Sequence, residues 1–559
     1  MSNEKKQNDQ PTGADIVVKT LEQHDVKWVF GVPGAKIDKV FNTLVDSSIQ
    51  TVVCRHEQNA AFIAGGIGRM TGKAGIAIAT SGPGVSNLVT GLATANTEGD
   101  PVLALGGAVP LADRLKKIHQ TMDSVSICKP VTKYCAEVDS PESVAEVLTN
   151  ALRSAESDRP GAAFVSLPMD IMVAPAKCDV LTPPTYSATG PADSAAVNEA
   201  ARLINRAKRP VVLLGLLASK PENAAAVHEL IESGKLPVVG TFQAAGTISM
   251  KLFSSFGGRV GQINNQPADE ILAAGDLIIT IGYNPVEYWP SLWNKGNKRP
   301  IVHLDALSAD IDNFYSPTVE LIGGIAATIR LLTPLVSPST PDSSIKRLLD
   351  RIAEDRQELA RSSAVQNGTP VHPLRLVSEL QNILTPDTTL CLDMGSFHLW
   401  MARHLYSFRA RQVLISNGQQ TLGVALPWAI AATLVRPSEK VLSISGDGGF
   451  LFSAMELETA VRLKSHLVHM IWIDGTYDMV AVQEEKKYGR PSGTSFGSVD
   501  PVKYAEAFGA HGFMIQSPDQ ISSVLKQAFD TPGPVLIGVH VDYRDNHKLF
   551  EQVNERSIH

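Results

Sequence analysis

The sequence predicts an α/β protein of three domains, each built on a mostly parallel, doubly wound sheet. Three observations predict it. Apolar runs of strand length recur along the 559 residues, each followed by a stretch with helical patterning. Strand and helix alternate in this way when parallel strands are joined by crossover helices. Two Pro/Ser/Thr-rich stretches, LTPPTYSATGPADS (181–194) and TPLVSPSTPDSS (333–344), interrupt the alternation and read as linkers.

The linkers leave three blocks, 12–180, 195–332 and 345–545. In the first, VKWVFGV, IQTVVCR, GIAIATSG and PVLALGGA read as buried strands. The middle block offers PVVLLGLLA, LPVVGTF, DLIITIGY and PIVHLDA, and the third TTLCLDMG, VLSISGDG, HLVHMIWID and PVLIGVHVDY. No short-period repeat is present.

Bulk composition narrows the class. A hydrophobic fraction of 44% with 19% charged residues describes a globular, enzyme-like chain. The net charge of −7, without a long Lys/Arg run, argues against nucleic acid as a partner. The polar start, MSNEKKQNDQPTG, lacks the apolar core of a secretory signal. The longest apolar stretches, such as ALPWAIAATLV, fall short of the ~18 residues a membrane span needs. Five cysteines without a C-x-x-C pair fit a reducing cytoplasm.

Chemistry concentrates in the third block. Gly446-Asp447-Gly448 and Asp474-Gly475-Thr476 each follow an apolar strand, with SAMELETAVRLK as the helix between them. Ser453 and Glu456 are placed for a capping box at its start, and Lys464 for its last turn. Parallel strands bring both acidic loops to one carboxyl edge. Two carboxylates and a loop carbonyl there suit a hard cation such as Mg²⁺, which completes its shell with water and phosphate oxygens. The glycines let backbone N–H groups approach those phosphates. In the first block Glu57 stands between a strand and a helix. The helix dipole favours its charged form and its apolar neighbours its neutral form. GVPGAK (31–36) and TSGPGVSN (80–87) share that sheet edge.

Taken in order, GVPGAKIDKVF, RHEQNAAF, TSGPGVSN, NGQQTLGVALP, SGDGGF and DGTYDMV resemble the acetolactate synthase group of thiamine diphosphate (ThDP) enzymes, in its catabolic, FAD-independent branch. The resemblance runs over residues 12–545. It implies a pyrimidine-binding domain (12–180), a central domain (195–332) and a diphosphate-binding domain (345–545). It makes Glu57 the acid that protonates the aminopyrimidine, with Leu422 wedged between the cofactor rings and the Gln420 carbonyl and Leu422 N–H at the pyrimidine edge. Mg²⁺ would lie on Asp447, Asp474 and the Thr476 carbonyl. The remaining cofactor contacts implied are Pro33, Gly395, Ser396, Phe397, Gly446, Gly448, Gly449, Tyr477 and Met479.

The group's chemistry implies ligation of two pyruvates to 2-acetolactate with loss of CO2, for acetoin or butanediol formation. Lys36, His119, Gln120 and Gln483 are the substrate candidates. Relatives assemble the site across a dimer interface, which implies a homo-oligomer. Three departures refine the expectation. Asp474-Gly475 replaces the commoner Asn-Asn pair. IGYNPVEYWP (281–290) has neither the arginines nor the acidic pair of the FAD-binding segment, so no FAD is expected. Gln483 replaces a tryptophan of the anabolic enzymes, which suits a small hydrophilic acceptor. A ThDP-dependent 2-oxo acid decarboxylase is the alternative, although no His-His dipeptide is present. A dinucleotide-binding regulatory module lacks its G-x-G-x-x-G fingerprint. A non-catalytic interaction protein would not need Glu57 and both acidic loops.

Overall fold

The computed structural model describes residues 10–183, 189–296, 299–339 and 342–550. Residues 184–188 and 340–341 of the two expected linkers lie outside them. The first sheet comprises β1 (Trp28–Val32), β2 (Gln50–Val53), β3 (Gly75–Ala79), β4 (Val102–Ala108), β5 (Tyr134–Glu137) and β6 (Ala162–Pro168). The central sheet holds β7 (Pro210–Leu214), β8 (Val238–Thr241), β9 (Phe256–Val260), β10 (Leu277–Ile281), β11 (Ile301–Asp305) and β12 (Val319–Ile322). The third holds β13 (Thr388–Leu392), β14 (Val413–Ile415), β15 (Lys440–Gly446), β16 (Leu467–Ile473), β17 (His511–Ile515) and β18 (Val535–His540). Their ladders are parallel. The first sheet, with Ile430–Val435 and Glu458–Leu463, forms one compact unit, and the other two sheets form a second.

Burial explains why the strands read so plainly. Every residue of β3, β4, β7, β10, β13 and β16 is buried, as both faces of a helix-covered parallel sheet must be. The first sheet runs β2-β1-β3-β4-β6-β5, and the third repeats that order as β14-β13-β15-β16-β18-β17. The central sheet differs, running β9-β8-β7-β10-β11-β12, the strand order of dinucleotide-binding domains. Strand order reverses beside β1 and β3 in the first sheet, β7 and β10 in the central one, and β13 and β15 in the third. At such a switch point, neighbouring crossovers leave on opposite faces and open a crevice at the carboxyl ends. That crevice positions the site.

The connection between β15 and β16 departs from the sequence expectation. Ser453 opens a 3-10 turn (Ala454–Glu456) without a side-chain cap, and the α-helix is only Leu457–Arg462. Glu456 is fully buried within that turn. Lys464 lies past the helix with φ 54°, in the left-handed region of a chain reversal.

Candidate active site

In the third sheet, the turn after β13 carries Asp393, Met394 and Gly395 into the helix Ser396–His404. Gly395 has φ 153°, and a Cβ there would come within 2.9 Å of the Phe397 ring, so the turn demands glycine. Beyond β15, Asp447 opens a one-turn helix. One of its carboxylate oxygens accepts the Gly448 N–H at 3.0 Å, and the other the Gly475 N–H at 2.8 Å. The two acidic loops are thereby tied together. A Cβ on Gly448 would stand 2.6 Å from the Tyr477 ring, which leaves backbone as the only surface that fits there.

Asp474 accepts the Thr476 hydroxyl at 2.6 Å. Burial pushes its pKa up to about 7, and the negative charges of Asp447 and Asp478 push the same way against that hydrogen bond. A cation joined to this site would favour the charged form of Asp474. No cluster of three His, Cys, Asp or Glu side chains is arranged as a complete metal cage among the described residues. The donors present, Asp447, Asp474 and the Thr476 carbonyl, are all hard oxygens, a set that fits an ion such as Mg²⁺, which also takes phosphate oxygens. Asp478 accepts the Ser396 hydroxyl and the Asn546 amide, and Asn546 accepts the Trp400 indole N–H at 2.7 Å. This network fixes the Ser396 turn against the Asp474 loop. Burial and the same three carboxylates hold the neighbouring Tyr543 phenol protonated.

The loop after β14 brings in Gln420 and Leu422. Gln420 has φ 50°, a conformation that costs a non-glycine residue of order 1 kcal/mol or more. The buried Asp393 carboxylate holds the loop, accepting the Met394 N–H at 2.8 Å and the Gly423 N–H at 2.9 Å. A cavity of about 270 Å³ opens beside it, lined in part by Gln420, Met479, Gln483, Gln262 and Trp289. Gln483, half-buried on the helix Asp478–Tyr488, thus faces the same space as Gln420.

In the first sheet, Glu57 is 9% exposed and begins the helix Glu57–Thr71. The Asn87 amide donates to its carboxyl at 2.9 Å. Gly34 packs against Thr80 so closely that a Cβ would come within 2.6 Å, and this brings Pro33 and Lys36 to the end of β3. Gln120, with φ 64°, accepts the Ser81 hydroxyl at 3.1 Å. His119 beside it is exposed. The structure thus gathers Pro33, Lys36, Glu57 and Gln120 at one edge. Gly395, Ser396, Phe397, Gln420, Leu422, Gly446, Asp447, Gly448, Gly449, Asp474, Thr476, Tyr477, Met479 and Gln483 gather around the third sheet's edge.

Asn87, Asp393, Asp478 and Asn546 are the residues sequence reasoning missed. Asn87 stands inside the TSGPGVSN motif and Asp393 directly before Met394-Gly395, so position alone could have raised both. Asn546 carries no local signal, because only the fold brings it to Asp478.

Two switch-point crevices, one furnished with a lone acid and one with an anion cradle and paired acids, define a thiamine pyrophosphate enzyme. Residues 11–127, 197–332 and 393–539 match the N-terminal TPP binding domain, the central domain and the C-terminal TPP binding domain of that family. The chain is 53% identical to the catabolic acetolactate synthase of Raoultella terrigena, over 98% of both chains. It is 48% identical to the acetolactate synthase of Bacillus subtilis, over 96% of this chain and 94% of that one. Identity to the large subunit of acetolactate synthase isozyme 1 of Escherichia coli is 29%, over 97% and 96%. The chain belongs to the acetolactate synthase family of thiamine pyrophosphate enzymes.

Proposed function

We propose that this protein is an acetolactate synthase that decarboxylates one pyruvate and joins the remaining two-carbon unit to a second, giving 2-acetolactate and CO2. The observation that carries the reading is its full-length similarity to the catabolic enzyme of R. terrigena. When bound, thiamine diphosphate supplies an acidic ring carbon and an electron sink for decarboxylation. Glu57, whose carboxyl accepts the Asn87 amide, would exchange a proton with the aminopyrimidine. The Gln420 carbonyl and Leu422 N–H would hold the pyrimidine edge, and the Leu422 side chain would pack against the cofactor rings. Asp447, Asp474 and the Thr476 carbonyl would hold Mg²⁺. Backbone around Gly395, Ser396, Gly446, Gly448 and Gly449 receives the diphosphate, with Phe397, Tyr477, Met479 and Pro33 as packing contacts. Lys36, His119, Gln120 and Gln483 serve the substrate carboxylates. The site is completed by a second copy of the chain, so the active form is a homo-oligomer, and the domain limits are 12–180, 195–332 and 345–545.

The central domain is read as free of FAD for a structural reason. At its switch point the buried Glu287 carboxylate accepts the Leu216 N–H at 2.9 Å and the Thr241 hydroxyl at 2.6 Å. A dinucleotide pyrophosphate would need that N–H. Purified protein showing flavin absorbance would contradict this. The cytoplasm is the proposed compartment. All five cysteines are free thiols, and no described helix is long and apolar enough to cross a membrane.

Incubation with pyruvate, Mg²⁺ and ThDP tests the central reading. Acetolactate, read as acetoin after acid treatment, is expected. Acetaldehyde as the main product would establish the decarboxylase alternative instead.

A further inference from the structure

Arg259 lies in β9 and is 5% exposed. One of its terminal nitrogens donates to the Leu405 carbonyl, but its Nε and Nη1 have no hydrogen-bond partner among the described residues. Arg403 has the same deficit at Nε, although its Nη2 donates to Asn265 Oδ1 at 2.7 Å. Arg356 donates to the Phe256 carbonyl at 2.8 Å, and its guanidinium stands 4.8 Å from the Phe253 ring centre and 5.2 Å from that of Tyr406. All three guanidinium-bearing residues line one cavity of about 200 Å³. Gly258, with φ 122°, forms part of its wall, and a Cβ there would reach within 3.5 Å of Arg356 Nη2.

The charges in this cavity do not balance. Asp355 is the one acidic residue in its lining, and it is exposed. Asp269 gives Arg403 one nearby negative charge, although its oxygens also accept the Tyr288 hydroxyl and the Gln266 N–H. Burial drags Arg259 and Arg403 down to about 10, and of the two only Arg403 has a nearby carboxylate, Asp269, acting the other way. Burying a guanidinium without a full set of acceptors is costly, so such groups mark a place where an anion restores them. A second cavity, of about 590 Å³, shares Arg356, Leu359, His404 and Tyr406 with the first. Its further walls include Met250, Phe253, Leu374 and Val377 and are mainly apolar.

We infer that this double cleft binds a small organic anion, whose phosphate or carboxylate head is held by Arg259, Arg356 and Arg403 and whose apolar body lies against Phe253, Leu359 and Leu374. The cleft is separate from the cofactor site. Ser396 and Arg403 stand near opposite ends of one helix, roughly 10 Å apart along its axis at 1.5 Å per residue.

Calorimetric titration of the full-length protein, saturated with ThDP and Mg²⁺ so that the diphosphate site is filled, tests the assignment. The probes are phenyl phosphate, phenylacetate and inorganic phosphate. One aromatic anion should bind per chain, about tenfold or more tighter than inorganic phosphate, and whichever head group binds better identifies the natural one. Arg356→Gln, at a partly exposed position that should not disturb folding, should weaken it by about tenfold or more, and the buried Arg259→Met further. Absence of binding at millimolar probe, or affinity unchanged in Arg356→Gln, would overturn the proposal.

Discussion

The first and third sheets have the same strand order and open their crevices at equivalent places, yet they are furnished for opposite tasks. The first presents a single carboxyl, Glu57, bonded by the Asn87 amide, with Lys36 and Gln120 at the same edge. The third presents Asp447, Asp474 and Asp478 together, with Asp474 pushed up by burial and by the charges of the other two, and with backbone N–H and hydroxyl groups donating to them. A lone, buried acid can move a proton; a cluster of acids can hold a cation. The fold supplies the edge in both cases, and the residues at that edge decide what it does.

The largest effect should come from the third sheet. Asp447→Ala removes both a proposed Mg²⁺ ligand and the tie to Gly475, so cofactor should be lost completely on gel filtration. Retention of ThDP by that variant after EDTA treatment would break the contrast. Next comes Glu57→Gln, which should leave ThDP bound but lower carboligation by about 10²–10⁴-fold, the usual contribution of a positioned acid or base. Near-normal turnover there would remove the first sheet from the chemistry. Gln483→Leu should act more narrowly. If its amide meets the second pyruvate's carboxylate, KM should rise roughly tenfold or somewhat more with cofactor affinity unchanged.

Much of this contrast was legible in the sequence. Fully buried strands such as β4 and β16 announce themselves by continuous apolar runs. β6 was missed although its run, AAFVSLP, is just as apolar and fully buried, whereas the other missed strands had physical reasons to be quiet. β5 is only half-buried along its length, β12 nearly so, and β17 begins exposed at an edge. β14 has three residues, and β9, FGGRV, hides a buried arginine between glycines and valine. The same limit applied to the site. Glu57, Asp447 and Asp474 sit in short motifs and were found. Asn546 reaches Asp478 across 68 positions, a partnership that no local pattern can encode.

Acid should sharpen the comparison in a milder way. His398 and His469 are buried beside the third sheet, and burial holds both near a pKa of 3. Unfolded histidine titrates near 6.5, so the stability these residues give is complete above that pH and declines as pH falls toward 3. Trp400 and Trp472 belong to the same core, so tryptophan fluorescence against pH should show its loss. A midpoint of thermal unfolding that stays constant from pH 7 to pH 4 would contradict it.

The central claim is that Glu57 of one chain and the Asp447–Asp474 loops of another make one site. Mixing inactive Glu57→Gln with inactive Asp447→Ala, under conditions where subunits exchange, tests it directly. Each mixed dimer would then hold one intact site and one doubly defective site, and activity should return to about a quarter of the native level. Confirmed subunit exchange with no recovered activity would contradict the account.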